Sequence, residues 1–116
     1  MADRPRILLV EDDVLIGMML ADMFDALGLP EPAQAASKDE ALAIIAAEPL
    51  DGALVDINLG EEKGWPVADA LAERDIPFAF TSGGGDILPA AHAHRRLVGK
   101  PFRISDIEAA LAEFGG

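Results

Sequence analysis

Short apolar runs alternate along the chain with longer stretches whose apolar residues recur at helical spacing. Residues 6–10 form an apolar, branched run that predicts a buried strand, and Glu11-Asp12-Asp13 ends it. Residues 14–27 predict a helix carrying Val14, Gly17, Met18, Ala21 and Phe24 or Asp25 on successive turns. Gly28 stops it, and Pro30 and Pro32 reinforce the break. Residues 33–36 read as a weak second strand. Ser37 and Glu40 make a capping box, so a helix starts there and runs to about Ala47, with Pro49 after it. Residues 53–57 are a third strand, apolar except for Asp56. Pro66 suits the first position of a helix that reaches about Arg74. Residues 76–81 predict a fourth strand, broken by Gly83-Gly84-Gly85. From Pro89 to about His94 there is room for a short helix only. Leu97-Val98-Gly99 is a brief fifth strand. Ser105 and Glu108 form a second capping box, and Ile107, Leu111 and Phe114 mark a last amphipathic helix.

Five strands alternating with helices predict an α/β fold: a doubly wound parallel sheet with helices on both faces. Right-handed crossovers favour the strand order 2-1-3-4-5.

At 116 residues the chain is expected to be a single domain, 1–116. It has no cysteine, which excludes disulfides, thiolate metal sites and cysteine nucleophiles. Twenty-one acidic residues against nine Lys and Arg give a net charge of −12. That field repels phosphate backbones and anionic membranes, so neither nucleic acid nor a membrane is an expected partner. Acids interrupt every apolar run, and no signal-peptide core follows the N-terminus. The expected location is cytoplasmic.

In an open parallel sheet the functional crevice lies at the carboxyl ends of the strands. Strand one ends on Glu11, Asp12 and Asp13, strand three on Asp56, strand four on Ser82 and strand five on Lys100. The order 2-1-3 makes strands one and three neighbours, so their carboxylates meet on one rim. Such acids bind protons or a divalent cation, and an all-oxygen set points to Mg²⁺ first. A carboxylate beside the cation can form an acyl phosphate, with Lys100 and the Ser82 hydroxyl on the remaining phosphoryl oxygens.

The set Glu11-Asp12, Asp56, Ser82 and Lys100-Pro101 resembles the receiver domain of two-component response regulators over nearly the whole chain. The resemblance implies a flavodoxin-like fold and a phosphoacceptor at Asp56. It implies Mg²⁺ on Glu11, Asp12, Asp56 and the backbone carbonyl of Asn58. It makes Ser82 the hydroxyl switch, with Gly83 lending a backbone group to the phosphate. A narrower resemblance lies in Asp56-Ile57-Asn58-Leu59-Gly60, in Trp65 to Leu71 and in Ile76 to Gly83. These look like the single-domain FATGUY-type receivers of alphaproteobacteria, which read Phe-Ala-Thr-Gly where this chain reads Phe80-Thr81-Ser82-Gly83. The implied partner is a histidine kinase, the HWE type among them, or a phosphotransfer protein. The domain itself is not expected to be an enzyme beyond its own phosphorylation and dephosphorylation. Output is expected to be protein binding or phosphate shuttling, because no output domain follows within the chain.

Two features depart from the family. Leu97 stands where receivers carry a rotating aromatic, and residues 83–96 leave room only for a short or mobile fourth helix.

Other residues have simpler readings. Asp13 caps the first helix. Trp65 packs rather than binding a ligand. The triple glycine lacks the Lys-Ser/Thr of a P-loop. His92 and His94 point to different sides of any helix, so they do not share a metal. Arg95, Arg96, Lys100 and Arg103 concentrate four of the nine basic residues. This stretch is either a solvated edge or a docking patch built on Arg95, Arg96 and Arg103.

Two rival functions come from other classes. A Mg²⁺-dependent phosphatase would need an Asp-x-Asp pair, which Glu11-Asp12-Asp13 does not space correctly. A pseudo-receiver would bind partners without phosphorylation; Leu97 favours it, and the complete acid and lysine set opposes it.

Overall fold

Alternate residues of a parallel strand face opposite sides of the sheet, so a strand covered on both faces is apolar throughout. The first strand, β1 (Ile7–Val10), follows that rule. Ile7 and Leu9 join one core cluster, while Leu8 and Val10 join the other. The computed structural model describes residues 5–84 and 86–114. After β1 come α1 (Val14–Ala26), β2 (Ala33–Ala35), α2 (Lys38–Ala47) and β3 (Gly52–Asp56). A short antiparallel ribbon, β4 (Asn58–Leu59) and β5 (Glu62–Lys63), leads to α3 (Trp65–Glu73). The chain closes with β6 (Phe78–Ser82), a 3-10 turn (Ala90–His92), β7 (Leu97–Gly99) and α4 (Ile104–Phe114).

The main sheet has five parallel strands in the order β2-β1-β3-β6-β7. Without the ribbon this is the expected 2-1-3-4-5 order, and the fold is flavodoxin-like. One face carries α2 and α3 over Val10, Val55, Ile57 and Phe80. The other carries α1 and α4 over Ile7, Leu9, Leu54 and Val98. No helix among the described residues is long and apolar enough to cross a membrane.

Four local expectations are revised. Along α1 the buried stripe is Gly17, Leu20 and Phe24, while Val14 and Met18 are exposed. Helix α4 begins at Ile104, one residue before Ser105, so Ser105 lies inside the first turn and cannot cap it. Asp106 supplies the cap instead, its Oδ2 accepting the Arg103 N–H at 3.3 Å. The short helix expected from Pro89 is a single 3-10 turn. The β4–β5 ribbon has no strand signature of its own. Its turn needs a positive φ of 64° at Gly60, whose N–H donates to Asp12 Oδ2 at 2.8 Å. The ribbon is therefore tied down from the end of β1, a contact invisible to local pattern. The expected caps at Asp13 and Ser37 are present: Asp13 Oδ1 accepts Leu15 N–H at 2.9 Å, and Ser37 Oγ accepts Glu40 N–H at 3.2 Å.

Gly64 closes the ribbon, donating its N–H to Ile57 O at 2.7 Å. A Cβ there would stand 2.5 Å from the Asp56 carbonyl oxygen and 3.1 Å from Val55 Cγ1. The first of these atoms is backbone and cannot move aside cheaply. Gly64→Ala is therefore expected to cost about 1–3 kcal/mol of stability in urea unfolding. A loss within error of zero would show that the turn relaxes freely.

Candidate functional site

The carboxyl edge of the sheet brings the expected side chains together. Glu11 follows β1 and continues its ladder, donating its N–H to Ala35 O at 3.0 Å. Asp56 ends β3 between the fully buried Val55 and Ile57 and is itself only 3 % exposed. Lys100 follows β7, and its N–H donates to Ser82 O at 2.8 Å. This bond extends the β6–β7 pairing by one step and aims the lysine across the crevice. Its Nζ lies 3.0 Å from Asp56 Oδ2 and 3.3 Å from Glu11 Oε2. The peptide between Lys100 and Pro101 is cis. The other Asp56 oxygen, Oδ1, accepts the Asn58 N–H at 3.1 Å.

Three carboxylates thus converge on one ammonium. Glu11, Asp12 and Asp56 each offer an oxygen within 4.8 Å of the others. Burial pushes the Glu11 carboxyl up from 4.5 to about 7, and the hydrogen bond and charge of Asp56 push the same way. Lys100 and the Asp13 N–H pull back only in part. At Lys100, burial opposes the charged form, but Asp56 and Glu11 outweigh it and raise its pKa. The all-oxygen donor set with a deficit of positive charge fits a hard divalent cation.

Ser82 lies at the end of β6, fully buried. Its hydroxyl donates to Asp86 and accepts the Gly84 N–H at 3.0 Å. Asn58 reaches the same carboxylate, its Nδ2 lying 3.4 Å from both Asp86 oxygens. Lys63 Nζ donates to Asn58 Oδ1 at 2.6 Å and stands 3.7 Å from Asp86 Oδ1. The Ser82 hydroxyl holds the Asp86 carboxyl below the usual aspartate range; burial opposes this, and Asn58 and Lys63 support it. Sequence reasoning missed Asp86, Lys63 and the use of the Asn58 side chain. An acid four residues after Ser82 in a glycine-rich stretch carries no local signal beyond that of a turn.

The remaining candidates fall as follows. Gly83 is exposed beside Ser82, and Leu97 is 43 % exposed on β7, opposite Phe80 in the register. Trp65 packs edge-on against Phe80, with ring centroids 5.5 Å apart. His92 is buried against Phe78 and Phe80, and its Nε2 lies 2.8 Å from Asp69 Oδ1, while His94 is exposed. Arg95 stacks over the Phe78 ring at 4.1 Å, and Arg96 pairs with Glu113. Arg103 is exposed.

A doubly wound α/β domain with an acid, hydroxyl and lysine crevice at its switch point is the architecture of a phosphoryl-signalling domain. Residues 7–112 match the response regulator receiver domain, and the chain belongs to that family, the receivers of two-component signalling. The solution structure of SdrG from Sphingomonas melonis Fr1 is 39 % identical, with 100 % of each chain covered and a TM-score of 0.84. The solution structure of the BeF3-activated conformation of SdrG from Pseudomonas melonis Fr1 is 40 % identical, covering 96 % of this chain and 97 % of that one, with a TM-score of 0.79. The receiver domain of a Pseudomonas aeruginosa sensor histidine kinase, with magnesium coordinated in its active-site cleft, shares the fold at 21 % identity. It covers 97 % of this chain and 99 % of that one, with a TM-score of 0.85. A comparison with curated proteins finds no match.

The raised pKa of Glu11 sets a pH dependence. The folded protein holds that proton more tightly than the unfolded chain does. The contribution therefore favours folding fully below about pH 4.5 and is lost as pH rises to about 7. In metal-free buffer, the stability difference between wild type and Glu11→Gln is expected to move against wild type across that window and then level off. Denaturant titrations at a series of pH values would read it, and a flat difference would contradict the assignment.

Proposed function

We propose that Asp56 accepts a phosphoryl group from a phosphohistidine on a histidine kinase, of the HWE type, or on a phosphotransfer protein. The observation that carries this reading is the environment of Asp56. It is a buried carboxylate with one oxygen on Lys100 Nζ and the other on the Asn58 N–H, beside two further acids. Glu11, Asp12, Asp56 and the Asn58 carbonyl would hold Mg²⁺. When bound, the cation supplies charge neutralisation at the phosphoryl oxygens. One Asp56 oxygen forms the new O–P bond as the donor's N–P bond breaks, and the electron pair of that bond leaves on the imidazole. Lys100, already 3.0 Å from Oδ2, stays beside the acyl phosphate and offsets its charge. The Ser82 hydroxyl and the Gly83 N–H are the donors placed to meet the remaining phosphoryl oxygens. The match to a BeF3-activated relative supports this reading, as does the serine-bearing form of the FATGUY motif.

A second reading, partner binding without phosphorylation, draws on Leu97 in place of an aromatic and on the single 3-10 turn after β6. Acetyl phosphate with Mg²⁺ decides between them. Intact-mass measurement is expected to show one added phosphoryl group on wild type and none on Asp56→Asn. Lys100→Ala is expected to slow the reaction about a hundredfold. An unmodified wild-type protein would favour the second reading.

A protein donor must also dock. Val14, Leu15 (76 % exposed) and Met18 form an apolar surface directly after the acids, where a partner reaching Asp56 would land. The basic residues Arg95, Arg96 and Arg103 lie on the far side of β7, where downstream contact is proposed. Leu15→Asp places an acid in the first turn of α1, which the helix dipole tolerates. It is expected to slow transfer from a phosphorylated kinase at least about tenfold and leave the acetyl phosphate rate unchanged. Equal slowing from both donors would assign the effect to the site itself.

A further inference from the structure

Ser82 has one hydroxyl proton, and that proton is donated to Asp86. The same hydroxyl oxygen accepts the Gly84 N–H at 3.0 Å. Asp86 is held in place by more than Ser82. Asn58 Nδ2 lies 3.4 Å from each of its oxygens, and Lys63 Nζ lies 3.7 Å from Oδ1. Lys63 in turn fixes Asn58 through the 2.6 Å bond to Oδ1. Asn58 also donates its backbone N–H to Asp56 Oδ1 at 3.1 Å. The anchor of Asp86 is thus part of the turn that carries the phosphoacceptor.

The donors around Asp86 are a hydroxyl, an amide and an ammonium. These are groups a phosphoryl oxygen would accept from, and Asp86 presents the same kind of anionic acceptor. The hydroxyl cannot serve both anions with one proton. We propose that Asp86 is a built-in competitor for the phosphoryl group: it holds the Ser82 hydroxyl in the unphosphorylated protein, and phosphorylation of Asp56 draws that hydroxyl away and frees the loop behind it. This rests on the phosphoacceptor reading of Asp56. Two consequences follow from the competition. The strength of the Ser82–Asp86 bond is subtracted from the affinity for the phosphoryl group. Release of Asp86 also uncouples residues 86–91 from the turn at Asn58, so the site's state is written into the surface beyond β6.

A negative side chain near the crevice would weaken phosphoryl binding by repulsion alone, so the test must separate competition from charge. Beryllofluoride with Mg²⁺ is titrated into wild type, Asp86→Ala, Ser82→Ala and the double variant, with backbone amide NMR as the readout. Asp86→Ala is expected to bind about tenfold tighter than wild type, the scale of one charge-assisted hydrogen bond. In the Ser82→Ala background the same substitution is expected to gain less than about twofold. Without ligand, the Gly84 amide signal of Asp86→Ala is expected to shift toward its position in beryllofluoride-bound wild type. Equal affinity of wild type and Asp86→Ala overturns the competitor, and so does an unmoved Gly84 signal. An equal gain in the Ser82→Ala background overturns it in favour of simple repulsion. Absence of binding in wild type overturns the phosphoacceptor reading, and the competitor with it; binding in wild type with no gain in Asp86→Ala overturns the competitor alone.

Discussion

An ionised carboxylate at the end of the central strand, buried between Val55 and Ile57, is costly unless another charge meets it. The ammonium that meets it comes from Lys100, at the far end of the chain and two strands away in the sheet. Removing one partner of such a buried pair typically costs about 3–5 kcal/mol. The pair therefore constrains the fold as well as the chemistry. Strand β7 must dock on β6 in the register that sets Gly99 against Ser82, because only then does the next residue reach Asp56. The same register leaves Ser82 at the rim, next to the carboxylate it is proposed to serve.

One ammonium does not neutralise three carboxylates. The structure manages the excess in different ways at each acid. Asp12 is exposed and turned to the Gly60 N–H. Glu11 is buried and shifted toward the protonated form. Asp56 takes Lys100 and a backbone N–H. Proton, solvent and lysine each hold a share that a divalent cation would replace, and that exchange links metal binding to pH. The opening charge of −12 is thus not a diffuse surface property alone. Part of it is concentrated where the sheet changes direction.

The main sheet and the acid and lysine rim were legible because both depend on strand order and on which residue ends each strand. Apolar runs and right-handed crossovers fix those features. What stayed hidden depends on contacts between residues distant in the chain. The β4–β5 ribbon is held by Asp12 through Gly60, and no local period announces it. The Asp86 network needs Asn58, Lys63 and Ser82 in one place, and the chain separates them widely. The buried stripe of α1 was misassigned for a related reason. Val14 and Met18 share a face with Gly17 by spacing, but that edge of the helix overhangs the crevice instead of the sheet. The second capping box failed by a shift of register: Asp106, not Ser105, closes the first turn of α4.

Leu97 removes the aromatic that receivers place on the fifth strand, and the structure concentrates aromatic contact elsewhere. Phe80 pairs with Leu97 in the register, but its ring meets Trp65, Phe78 and His92. His92 is fixed there twice, by those rings and by Asp69 on α3. Arg95 lies over Phe78 just beyond it. The connection from β6 to β7 is therefore anchored at both ends, at Asp86 by a hydrogen bond and at His92 by packing. The two anchors differ in kind. A hydrogen bond to a hydroxyl can be lost to a competing anion, whereas burial among aromatic rings does not respond to charge at Asp56. A change at Ser82 thus acts first on the short stretch between them, which includes Ile87, 88 % exposed. With its far end held, that stretch can move its apolar surface without unpacking the sheet, a route from site to surface that needs no rotating ring at residue 97.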